Sequence, residues 1–109
     1  MTTLYQLHST MDNLRRSTDQ LALTWQRGDS LLLLGTTVAF IDWLSAYLEE
    51  NEIVGVTAIY ALAEDVSQLG TDIASRIKSN SKITQLLSDI EWVKLTQDAQ
   101  FDKVVTISL

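Results

Sequence analysis

The sequence predicts an α/β fold: a single open, mostly parallel five-stranded sheet flanked by helices. Three observations predict it. Short apolar or β-branched runs alternate with segments whose apolar residues recur at helical spacing, in the order βαβαβαβαβ. One run, Ser30–Leu34 (SLLLL), shows no polar alternation, so both of its faces must be buried, as in a central strand of a parallel sheet. Parallel strands also need crossovers, and helices are the usual ones. The 109 residues fit one domain, 1–109, large enough to bury a core without staples.

Each element has a local reason. Thr3–His8 (TLYQLH) reads as the first strand, and Ser9-Thr10-Met11-Asp12 offers capping hydroxyls for a helix from Met11 to about Gln26. Met11, Leu14, Leu21 and Trp25 share most of one face of that helix, with Ser17 and Thr18 a weak middle. Arg27-Gly28-Asp29 supplies a stop and a turn before the leucine run. Thr36 or Thr37 is placed to cap a second helix carrying Phe40, Ile41, Leu44, Tyr47 and Leu48, which leaves through Glu49-Glu50-Asn51-Glu52.

Val56–Leu62 (VTAIYAL) reads as the third strand, followed by a short helix from Glu64-Asp65 to Gly70 and a further turn or two over Thr71–Ile77. After a turn at 79–81, Ile83–Leu87 reads as the fourth strand. Ser88 and Glu91 have the spacing of a capping box, opening a helix that turns Trp92 and Leu95 inward. Lys103–Ser108 (KVVTIS) closes the chain as a β-branched strand.

Composition excludes several functions. With no cysteine there is no disulfide, thiolate ligand, Cys nucleophile or persulfide carriage on this chain. A single histidine, His8, rules out a multi-histidine metal site. The net charge is −6 and the lysines and arginines are scattered, Arg15-Arg16 being the one adjacent pair, so direct binding of nucleic acid is not expected. The longest apolar run is too short to span a bilayer and the N-terminus lacks a long apolar leader, so a cytoplasmic protein that does not enter the membrane is expected.

Three groups near the carboxyl ends of strands are candidates for chemistry. Gly35-Thr36-Thr37 is placed for a following helix to hold an anion, but the stretch matches neither GxxxxGK[ST] nor GxGxxG, which favours a capped strand exit. His8 has the residue type for acid–base work, yet no nucleophile with an orienting carboxylate lies near it in sequence. Glu64-Asp65 suits a hard cation, although carboxylates are also favoured in any first helical turn by the dipole. No catalytic, cofactor-binding or metal residue is therefore assigned. Trp25, Trp43 and Trp92 all fall in helical patterns, where each either packs on the sheet or forms an aromatic face for a protein partner.

The segments GDSLLLL, YALAED and DIEWVKLT, with the opening YQLHST, resemble the TusB/DsrH family in order and spacing over nearly the whole chain. The resemblance implies a DsrEFH-like three-layer α/β/α fold. It also implies a non-catalytic subunit that joins TusC-like and TusD-like subunits in a two-fold cytoplasmic heterohexamer. Such a complex passes persulfide sulfur, through a TusE-like carrier, toward the enzyme that thiolates the wobble uridine of certain tRNAs. An isolated subunit would have surfaces through which to form a homo-oligomer.

In the family the persulfide cysteine belongs chiefly to the TusD/DsrE partner, although some DsrH members carry one in the first helix. The matching STDQLALTW has none, and sulfane sulfur is held and released by thiolates, so the implied role is structural or regulatory. Two departures stand out: Thr36-Thr37 replaces a common Asp-Gly, and the chain continues through KVVTISL where relatives often end. The alternatives are a DsrH-type subunit of intracellular sulfur oxidation, and a stand-alone small-ligand-binding protein using His8, Gly35-Thr36-Thr37 and Glu64-Asp65.

Overall fold

Leu31, Leu32 and Leu33 are fully buried, and their strand, β2 (Ser30–Leu33), is the middle one of five. The computed structural model describes residues 2–80, 82–98 and 100–108. Ser81, part of the turn expected at 79–81, and Leu109, the last residue of the KVVTISL tail, lie outside the described residues. The other strands are β1 (Thr2–His8), β3 (Ile59–Leu62), β4 (Gln85–Leu87) and β5 (Phe101–Ser108). Their order is β4-β3-β2-β1-β5, and every pairing is parallel.

The helices are α1 (Leu14–Thr24), α2 (Ile41–Glu50), α3 (Ala63–Ser67), α4 (Thr71–Lys78) and α5 (Asp89–Thr96), with tight 3-10 turns over Met11–Asn13 and Gly35–Phe40 leading into α1 and α2. Strand order fixes where they go. From β1 to β4 each crossover steps the same way, and right-handed connections then put α1 to α4 on one face. The return from β4 to β5 reverses direction, which puts α5 on the other.

The two cores follow this division. Tyr5, Leu7, Leu31, Leu33, Ala61 and Ile107 face α1 to α4 and pack with Leu14, Leu21, Ile41, Leu44, Val66 and Ile77. Leu4, Leu32, Leu62 and Leu87 face the opposite way, where Trp92 and Leu95 of α5 cover them. Odd and even positions of β1 and β2 therefore serve different layers, as period two requires.

The structure moves several expected boundaries. β3 begins at Ile59 rather than Val56 because Thr57 is drawn to the turn before β2: its N–H reaches the Asp29 carbonyl at 3.0 Å and its Oγ1 donates to the Gly28 carbonyl at 2.8 Å. β4 begins at Gln85 rather than Ile83, with the Oγ1 of Thr84 accepting the N–H of Ile59 at 3.0 Å. β5 starts earlier than expected, at Phe101, and the tail is an edge strand paired with β1. Trp25 falls just past α1.

The caps divide. Ser88 and Glu91 form the expected capping box, the Ser88 Oγ accepting from the Glu91 N–H at 3.2 Å and Glu91 Oε1 from the Ser88 N–H at 3.0 Å. Neither Thr36 nor Thr37 caps α2; a 3-10 turn intervenes, and Thr37 is used elsewhere. Among the described residues no helix is long and apolar enough to cross a membrane.

Candidate functional site

β1, β2 and β3 end side by side, so parallel pairing brings His8, Gly35 and the start of α3 to one edge of the sheet. Gly35 is the pivot. Its φ of +59° lies in the left-handed region, and a Cβ there would come within 2.8 Å of the His8 Nε2. A side chain at this position would therefore be strained by the left-handed backbone and would have to displace the imidazole.

The Gly35 N–H donates to Oδ2 of Asp65 at 2.8 Å. This contact joins the exit of β2 to the first turn of α3, and it occupies the amide that an anion cradle at Gly35-Thr36-Thr37 would need. Asp65 is half-buried, whereas Glu64, Thr36 and His8 are exposed. The Glu64-Asp65 pair is therefore split, one carboxylate holding the backbone and the other facing solvent.

Thr37 is fully buried and has a different task from the helix cap expected of it. Its Oγ1 accepts the Ser9 N–H at 2.8 Å and donates to the Ser9 carbonyl at 3.1 Å, satisfying both backbone groups of the residue that follows β1. The Ser9 hydroxyl in turn meets that of Ser17 in α1. Ser17 and Thr18, the polar middle of the α1 face, are buried because their hydroxyls have partners, Thr18 donating to the Arg15 carbonyl at 2.8 Å.

Of the sequence-predicted residues, His8, Gly35 and Asp65 are brought together and Thr37 braces them from below. Thr36 and Glu64 make no side-chain hydrogen bond among the described residues. No group of three or more His, Cys, Asp or Glu suited to a metal ion occurs among the described residues. The site is thus a hydrogen-bonded strand-end surface bearing one exposed imidazole.

Two polar residues that matter to this architecture were missed. Asp29, read only as a turn residue, is 1% exposed and accepts the N–H groups of Thr3 at Oδ1 and Gln26 at Oδ2, both at 2.9 Å. It clamps the opposite end of β1 to the turn before β2. Gln6 lies on the α5 face of β1; its Oε1 accepts from Trp92 Nε1 at 2.8 Å and its Nε2 donates to Thr106 Oγ1 at 3.1 Å. A polar residue at an inward position of a predicted strand was the available signal.

No protein-family model and no curated protein sequence matches the chain. Among solved structures, the crystal structure of the ychN protein from E. coli aligns with a TM-score of 0.55 and 14% identity, covering 98% of this chain and 100% of that one. The chain has the DsrE-like fold of ychN. At that identity the likeness shows the fold alone. In such open α/β sheets the carboxyl ends of the strands are where ligands and partners are met. In this chain those ends are held by the His8–Gly35–Asp65 contact and the Thr37–Ser9 brace.

Proposed function

We propose that the chain is a non-catalytic, TusB-like subunit of a cytoplasmic sulfur-relay complex. With TusC-like and TusD-like subunits it supports transfer of persulfide sulfur to a TusE-like carrier and on to the enzyme that 2-thiolates the tRNA wobble uridine. One observation carries the reading. Three of the four segments that resemble the family build the carboxyl end of the sheet: YQLHST contains the end of β1, GDSLLLL contains β2, and YALAED runs from β3 into α3, while DIEWVKLT forms α5 on the opposite face. His8 and Asp65 from these segments meet there at Gly35, the residue that follows GDSLLLL.

The chemistry supports a supporting role. Moving a sulfane sulfur means attack by one thiolate on the sulfur held by another, and this chain has no thiol. The partner supplies the cysteine, and this chain supplies a braced strand-end surface beside it. Co-expression with TusC-like and TusD-like subunits, followed by pull-down and sizing, tests the proposal. A stable complex containing all three chains is expected; a chain that elutes alone overturns it.

A further inference from the structure

The three tryptophans separate into two that the fold uses and one that it leaves outside. Trp25 donates its ring N–H to the Val54 carbonyl at 2.9 Å and packs against Tyr5, and Trp92 donates to Gln6 at 2.8 Å. Trp43 is 57% exposed, and its ring N–H makes no hydrogen bond among the described residues. Trp43, Ala46, Tyr47 and Glu50 follow one another at i, i+3, i+4 and i+7 along α2, so they form a single stripe. With Glu49 and with Arg15 of α1 they line an open cleft of about 510 Å³.

The charges in the cleft are unequally matched. Arg15 is already engaged, its guanidinium 4.8 Å above the Tyr47 ring centre and 3.2 Å from a Glu50 carboxylate oxygen. Glu49 has no ion-pair partner among the described residues. What remains open is the exposed part of the Trp43 indole, whose ring is tilted against that of Tyr47 at 6.5 Å between centres, and the Glu49 carboxylate elsewhere on the cleft wall. A tryptophan face is the best aromatic surface for a cation. We infer that this cleft docks a protein partner that presents a lysine or arginine beside an apolar side chain, the cation lying over Trp43 and attracted by Glu49.

Charge argues against other occupants. A second copy of this chain, at net charge −6, would bring its own acidic α2 stripe against this one, and an anionic membrane or an acidic peptide would be repelled in the same way. Trp, Tyr and Arg are also the residue types that carry most binding energy at protein interfaces. The partner's identity rests on the relay-subunit reading: it is the TusC-like or the TusD-like subunit.

The test measures binding of each of those two purified subunits, and of both together, to the wild-type chain, to Trp43→Ala and to Glu49→Lys. Both variants sit on an exposed helix face, and urea unfolding checks that they fold. Trp43→Ala should weaken binding about thirtyfold, the scale of an interface anchor worth ~2 kcal/mol. Glu49→Lys should weaken it as well and flatten its dependence on salt. Wild-type binding with both variants within twofold of it overturns the cleft and leaves the relay reading standing. No wild-type binding to either subunit overturns both.

Discussion

The backbone N–H of Gly35 meets Oδ2 of Asp65 at 2.8 Å, and the His8 Nε2 lies 2.8 Å from where a Cβ of the same residue would be. Three strand exits are tied through one residue without a side chain. That arrangement can be tested from each side.

Gly35→Ala should destabilise the fold by about 1–3 kcal/mol, from the left-handed φ and from contact with the imidazole. His8→Ala in the same background should return the steric part and leave the conformational part. Urea unfolding of the four proteins in this cycle measures the coupling. Equal cost of Gly35→Ala with and without His8 would contradict the close approach.

Asp65→Ala should leave the Gly35 N–H without its acceptor. Amide exchange at Gly35, followed by NMR, is expected to speed up by about tenfold or more, since each ~1.4 kcal/mol of lost protection is a factor of ten. Glu64→Ala, on the neighbouring exposed position, should leave that amide unchanged.

Asp29→Ala should cost about 1–3 kcal/mol, because two part-buried backbone donors lose their carboxyl acceptor. Asp29→Asn should fall between it and wild type, as the amide keeps one oxygen but turns an NH₂ toward the other donor. Denaturant midpoints at unchanged slope provide the readout.

Acid should weaken the α5 cap. Glu91 is held below its ordinary 4.5 chiefly by the Ser88 backbone N–H, helped by the Ser88 hydroxyl. A carboxyl with a depressed folded value stabilises the fold above its unfolded value, and the contribution fades as pH falls through the folded one. Stability should therefore drop as pH falls below about 4.5, and the slope there should be shallower in Glu91→Gln. An identical slope in the variant would remove Glu91 from the account.

What the sequence made legible was whatever depended on neighbours along the chain. Leu31–Leu34 announced a strand buried on both faces because no polar residue interrupts it, and Ser88 with Glu91 announced a helix start because both partners of the box lie within one turn. Thr37 was misread for the opposite reason: its partner, Ser9, sits across the β1–β2 junction, and a hydroxyl before a helix looks like a cap until that contact is seen. Asp29 reads as an ordinary turn residue until Thr3 and Gln26 are brought to it. For the site, the carboxyl strand ends pointed to His8, Gly35 and Asp65, but the bridge between the last two needed the fold. The tryptophans divided on a similar ground, since Trp25 and Trp92 find distant acceptors and Trp43 does not.

The central claim is that this chain supports sulfur transfer without carrying sulfur. Its most direct test follows labelled sulfur from a persulfide donor to a TusE-like carrier in a reconstituted complex, with and without this subunit. The account predicts a marked loss of transfer when the subunit is omitted, full transfer with His8→Ala, and no label on this chain. Undiminished transfer in its absence would contradict the claim, as would loss of transfer in His8→Ala with the complex intact.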